Sequence, residues 1–214
     1  PPDSTFGKMD MLTTGTVYAN VQNKHSAPGI CTLSGVSLLK LFRATGDLRY
    51  LNLIKEISHA IPQYLSREDR PISSKRPNER WPVLAPGWMN ERINMSDWEL
   101  RGTPEDIAVG EIFGGSCWCE ASMLLTTAEL PGIYIQPENN IIAILDHVDA
   151  KITDKNINSI TLEITNPTKF DTSLKILVEN SEDVKHPLGA IPTHDCPKIG
   201  IPAKNTVRKK IMLK

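Results

Sequence analysis

Cysteine is scarce in this chain, and neither sign of charge dominates it. The four cysteines are Cys31, Cys117, Cys119 and Cys196. They are too few and too irregularly spaced for a disulfide framework. Cys117-Trp118-Cys119 also lacks the two-residue gap of a zinc knuckle or a thioredoxin motif. With 24 basic and 25 acidic residues the net charge is −1, so nothing advertises a polyanion as partner. Nucleic-acid binders carry a basic stripe. The nearest approach is Arg208-Lys209-Lys210, which reads as one solvated strand edge. No stretch reaches the roughly 20 apolar residues that span a bilayer. The first residue is Pro1 rather than Met, so the chain is expected to be processed or truncated, and a leader segment is unreadable.

What is present begins with helical periodicity. Residues 1–28 are rich in Pro, Thr, Ser and Asn and read mostly as loop. From Gly29, the residues Ile30, Leu33, Val36, Leu38, Leu39, Leu41 and Phe42 make one broad apolar face. Gly46 sits where a left-handed C-cap wants glycine. Asp47 sits where an N-cap belongs, because its carboxylate can accept the free N–H groups of the next turn. A second helix is predicted from Leu48 to Leu65, with Leu51, Ile54, Ile57, Ile61 and Tyr64 on one side. So short a connection makes the two helices antiparallel neighbours.

Residues 66–106 break this texture with Pro71, Pro77, Pro82, Pro86 and Pro104. Trp81, Trp88 and Trp98 lie among them and supply surface worth burying. Loops of this length are functional or disordered, and the tryptophans argue against disorder. A third helix is predicted over Ile107–Leu130, weakened by Gly110, Gly114 and Gly115 at roughly 1 kcal/mol each. Pro131-Gly132 ends it. Beyond Gly132 the period becomes two: residues 133–135, 141–145, 160–164, 174–178 and 206–213 read as strands. Such spacing suggests an antiparallel sandwich.

The stretch Leu41-Phe42-Arg43-Ala44-Thr45-Gly46-Asp47-Leu48-Arg49-Tyr50-Leu51 resembles the recurrent hairpin of six-hairpin glycosidase-like proteins. There a Thr-Gly-Asp turn ends one helix and a Tyr-Leu pair opens the next. Val109 to Tyr134 is similar to the last toroid helix of that group, which passes through a Pro-Gly turn into a C-terminal β-sandwich. Asn166-Pro167-Thr168 and the strand after it look like that accessory sandwich. The resemblance implies an α+β, multidomain chain: the C-terminal helices of an α/α toroid, then an antiparallel β-sandwich. Residues 1–131 would be the toroid portion, including the tryptophan-rich loop 66–106, and residues 132–214 the sandwich. A complete toroid needs about a dozen helices. The others would belong upstream in the same protein or to a partner chain.

The group contains glycoside hydrolases and, on related toroids, polysaccharide lyases, so fold alone does not choose the chemistry. Glycoside hydrolysis uses two carboxyl groups flanking the scissile bond. Asp97, Glu99 and Glu111 are the candidates. Asp97 and Glu99 sit among tryptophans that can stack on a sugar and raise a carboxyl pKa. Their structural alternatives are a helix cap for Asp97, a solvated Glu99, and a helix-dipole partner for Glu111. Trp88, Asn90, Glu91, Arg92, Trp98 and His25 are candidate substrate contacts, with Arg92 as a carboxylate clamp. Cys117 and Glu120 lie three apart, so on a helix they share a face. Thiolate and carboxylate can hold zinc, and a β-L-arabinofuranosidase family of similar architecture has a Cys/Glu zinc site. This chain lacks that family's adjacent cysteines, and a buried structural Cys117 is the other reading. No cofactor is otherwise implied. The expected partner is a carbohydrate, with neither nucleic acid nor membrane. A glycan-degrading role would fit a secreted or periplasmic protein, without excluding the cytoplasm. The rival is a non-catalytic glycan-binding or subunit-interaction module.

Overall fold

The computed structural model describes residues 10–11, 15, 35–72, 83–93, 112–115 and 117–213. For residues 90–93, 112–115, 117–119, 122 and 183 it describes the backbone alone. The chain divides into two compact units: Pro1–Leu38 with Glu56–Ala128, and Leu39–Lys55 with Glu129–Lys214. They are called the N-terminal and C-terminal units below.

The hairpin follows its sequence signals closely. Helix α1 spans Gly35–Thr45 and α2 spans Leu48–Ala60, continued by a 3-10 turn over Ile61–Tyr64. Gly46 has φ +69° and donates its N–H to the Phe42 carbonyl at 2.7 Å, which closes α1. Asp47 Oδ1 accepts the Arg49 N–H at 3.0 Å, which opens α2. Leu51, Ile54, Ile57 and Ile61 are buried, as their three-to-four spacing requires.

Among the described residues of the N-terminal unit, the core is Met11, Ile57, Ala60, Ile61, Tyr64, Ile72, Leu84 and Met89. Strand β1 (Asn90–Ile93) pairs antiparallel with β2 (Ile112–Gly115). Helix α3 follows over Cys117–Glu129. The expected helix over residues 107–130 is therefore too long, because Ile112–Gly115 is extended. Gly114 and Gly115 favour helix poorly, and the extended backbone gains a ladder with β1. α3 stops two residues before Pro131, which could not continue it.

In the C-terminal unit, two sheets enclose one core. The first has order β4-β3-β7-β8, from Ile141–Ile144, Ile133–Gln136, Thr172–Val178 and Lys198–Ile201. The second has order β5-β6-β9, from Asp149–Asn156, Ser159–Thr165 and Thr206–Met212. Ile160, Leu162 and Ile164 are fully buried, as the alternation of β6 predicts. Each such side chain contributes roughly 1.5–3 kcal/mol of burial. Ile133 and Ile135 of β3, with Leu174 and Ile176 of β7, complete the same core. Pairing is antiparallel except between β3 and β7, which run parallel. The chain between them visits the other sheet, and that long excursion is what a parallel pair needs.

Asn166 pins the corner where the chain returns from β6 to β7. Its Nδ2 donates to the carbonyls of Phe170, Ile201 and Pro202, and its Oδ1 accepts the Thr168 N–H. Strands β5 and β8 have no counterpart in the expected set; β5 is mostly exposed, and β8 is four residues with a glycine. The chain is thus α+β, with three α-helices among the described residues and sheets that are mainly antiparallel. None of the described helices is long and apolar enough to cross a membrane.

Candidate functional site

The region richest in candidate residues is built on a pinned turn of the N-terminal unit. Ser66 is buried; its Oγ donates to the Leu84 carbonyl at 2.8 Å and accepts the Ile72 N–H at 3.1 Å. Its main chain accepts from Gly87 and donates to the Trp88 carbonyl. Trp88 N–H closes onto the Ala85 carbonyl at 2.9 Å, with Pro86 and Gly87 (φ +89°) between. Proline at the second position and a positive-φ glycine at the third make this a type II turn. It brings Trp88 to the surface at 41% exposure and drives Met89 into the core.

Glu120, in the first turn of α3, reaches this same strand entry. Its Oε1 accepts the Met89 N–H at 2.5 Å. Its Oε2 is buried and lacks a hydrogen-bond partner among the described residues. A buried unmatched carboxylate oxygen costs about 1–3 kcal/mol and calls for an explanation. From β1 and β2 outward, the pairing Ile93↔Ile112 closes the ribbon. The sequence from residue 94 to residue 111 therefore leaves and re-enters at one end of it.

Of the residues singled out by sequence, Asp97, Glu99, Glu111, Trp98 and His25 lie outside the described residues. Trp88 is on the type II turn. Asn90, Glu91 and Arg92 form the backbone of β1 rather than an irregular loop. Cys117 and Glu120 both occupy the first turn of α3, one turn apart. Glu120 spends one oxygen on the backbone. Among the described residues no three His, Cys, Asp or Glu side chains converge on a position for a metal ion.

Sequence reasoning missed a polar cluster in the C-terminal unit. Arg43 Nε donates to Glu179 Oε1 at 2.8 Å and Nη2 to Oε2 at 3.3 Å. Tyr134 donates its hydroxyl to Glu179 Oε1 at 3.1 Å. The Phe42 ring meets Tyr134 edge-on, with centroids 5.7 Å apart. Burial, then the Glu179 charge and hydrogen bond, push the Tyr134 hydroxyl far above its usual range, so it serves as a donor. Nothing in the local sequence marks Glu179, because its partner is 136 residues away.

Arg43 and Glu179 also line a cavity of about 640 Å³, together with Ile176, Cys196, Lys209 and Ile211 among others. Burial raises the pKa of the Cys196 thiol, which donates to the Pro192 carbonyl at 3.3 Å. It is held as a thiol, unsuited to nucleophilic work. His194 and Asp195 form an exposed contact at 2.9 Å and do not join Cys196 in a ligand set. No protein family, curated protein or solved structure matches this chain.

Proposed function

We propose that this chain is part of a carbohydrate-active protein of the six-hairpin glycosidase-like kind, acting as a glycoside hydrolase. The observation that carries the reading is the juxtaposition at the β1 entry. An exposed Trp88, the Asn90-Glu91-Arg92 strand and the Glu120 carboxyl meet at one ribbon. The segment bearing Asp97, Glu99 and Glu111 starts and ends on that ribbon. An exposed indole offers a flat apolar face for a sugar ring, while carboxylates, amides and guanidinium groups match its hydroxyls.

In this reading two of Asp97, Glu99 and Glu111 act as the acid and as the base or nucleophile. Trp88, Trp98, Asn90, Glu91, Arg92 and His25 hold the substrate. Glu120 fixes the strand that carries Asn90 and Arg92, so its role is positioning. The hairpin of α1 and α2 supports the family reading through its Gly46 and Asp47 caps. The remaining toroid helices would come from upstream sequence or from a partner chain.

The test uses the natural full-length protein with a panel of aryl glycosides and plant and bacterial polysaccharides. Turnover is expected, and Asp97→Asn, Glu99→Gln and Glu111→Gln should show two losses of about a thousandfold in kcat, typical of acid–base groups. Trp88→Ala should act mainly on KM. Glycan binding without turnover would replace the hydrolase with a binding module. Neither binding nor turnover would overturn the carbohydrate reading altogether.

A further inference from the structure

Strand β9 is an edge: among the described residues it pairs with β6 and with no other strand. The direction of its unpaired groups follows from one bond. Leu213 N–H donates to the Asn158 carbonyl, on the β6 side, at 2.8 Å. Main-chain groups alternate sides along a strand. The N–H and C=O of Val207, Lys209 and Ile211 therefore face β6, and those of Arg208, Lys210 and Met212 face outward. That outward row is a template for another strand.

Two features distinguish this edge from one merely guarded by charge. First, five consecutive residues, Lys209 to Leu213, line the 640 Å³ cavity. Alternating side chains alone would contribute every second residue, so the backbone edge itself borders the cavity. Secondly, Lys209 lies in the core-facing register. Its cross-strand partner is the fully buried Leu162, and Val207 and Ile211 flank it on the same side, yet Lys209 is exposed. Beside it Ile176, Val178 and Ile211 line the cavity as an apolar floor.

Charge selects the occupant. Arg208 is paired with Glu163 at 2.9 Å, whereas Lys209 and Lys210 have no ion pair among the described residues. A second copy laid antiparallel on this edge would set cations against cations, which is destabilising. Exposed Met212 continues the edge with apolar surface. We propose that the outer edge of β9, with the notch beneath it, takes up an extended acidic peptide segment, which adds to the sheet as a fourth strand. Its main chain pairs with Arg208, Lys210 and Met212. Its acidic side chains meet Lys210 on the outer face, and its apolar side chains, on the opposite face, enter the notch beside Lys209. This site belongs to the C-terminal unit and is independent of the glycan reading.

The experiment is fluorescence anisotropy on the full chain with a labelled, end-blocked seven-residue peptide alternating Glu and Val, matching the length of β9. Its controls are the Lys/Val counterpart and the Glu/Val peptide methylated on alternate backbone nitrogens. The Glu/Val peptide should bind, and both controls should bind at least about tenfold more weakly, a difference of roughly 1.4 kcal/mol. Lys210→Glu and Met212→Pro should each weaken the peptide by a similar factor, the former by setting like charges together and the latter by deleting an outward N–H without touching the β6 ladder. No binding of the Glu/Val peptide overturns the proposal. Equal binding of the methylated peptide also does so, because charge alone would then suffice. Self-association abolished by Met212→Pro would assign the edge to a second copy instead. Should Met212→Pro misfold, the methylated peptide still decides.

Discussion

In the C-terminal unit the Arg43 guanidinium lies fork to fork against the Glu179 carboxylate, with only 5% and 8% of the two side chains exposed. The pair joins the helical hairpin to the end of β7, and Arg43 Nη1 also donates to the Pro187 carbonyl. Burying two charges costs free energy that their attraction repays only when both are present. Glu179→Ala should therefore lower stability by about 3–5 kcal/mol in urea unfolding. The double variant Arg43→Met with Glu179→Leu should recover most of that loss, leaving the Tyr134 hydroxyl without its acceptor. A double variant as unstable as the single one would show that the pair itself is not the source.

Tyr134 gives the C-terminal unit an alkaline sensitivity. Its folded-state pKa is raised, so the folded protein holds that proton more tightly than the unfolded chain. The sign follows: the contribution is complete below pH about 10, the unfolded tyrosine value, and declines as pH rises beyond it. Ultraviolet titration should show a tyrosine component, that of Tyr134, which ionises only as the protein unfolds. Tyr134→Phe should abolish that component and cost about 1.5–3 kcal/mol, the range for a hydrogen bond to a charged group.

Two glycines with positive φ should respond differently to alanine. Gly46, at φ +69°, has open space where a Cβ would stand. Gly46→Ala should cost about 1 kcal/mol, from backbone conformation alone. Gly15, at φ +91°, would place a Cβ 2.6 Å from the Glu56 carbonyl carbon and 2.7 Å from the Ile57 nitrogen. Backbone cannot yield cheaply, so overpacking adds roughly 1–3 kcal/mol to the conformational cost. Thermal unfolding of the two variants should rank them in that order, and equal effects would sink the steric argument.

Glu163 sits between two cations on the outer face of the second sheet. Lys151 Nζ lies 2.7 Å from Oε1, and Arg208 Nη2 lies 2.9 Å from Oε2. Hydrogen bonds from Lys151, then Arg208, hold the Glu163 carboxyl below the usual carboxylate range. A depressed pKa contributes stability above the unfolded value, and the contribution disappears as pH falls through the folded one. Carbon-detected NMR titration should find Glu163 ionised to lower pH than a free glutamate. Arg208→Ala should move its midpoint upward; an unchanged midpoint would contradict the assignment.

Much of the fold was legible because its signals are local. The Thr-Gly-Asp turn sets both ends of the hairpin through groups no more than four residues apart. The alternation of residues 160–164 decides which face of β6 is buried before any partner is known. Asn166-Pro167-Thr168 was legible as a turn, but not as the pin between β6, β7 and β8, because two of its acceptors lie 35 and 36 residues ahead. Strand β2 was misread as helix because residues 112–115 show no period of two; only pairing with β1 settles an ambiguous glycine-rich stretch. The candidate site divides similarly. Residue type drew attention to Trp88, Asn90 and Arg92, but that the last two lie on a strand paired with β2 is decided by pairing across the chain.

By itself the sequence determined the two caps of the hairpin, the buried face of its helices and the alternation of β6, because each depends on neighbours within about one turn or one pleat. Tertiary structure alone decided that Arg43 meets Glu179, that β3 runs parallel to β7, and that Glu120 reaches the Met89 N–H. It also decided that Lys209, an ordinary surface cation in the sequence, stands in a core-facing position on an edge unpaired among the described residues. Those relationships join distant points of the chain, and their geometry is fixed by the packing of sheets and helices rather than by local preference.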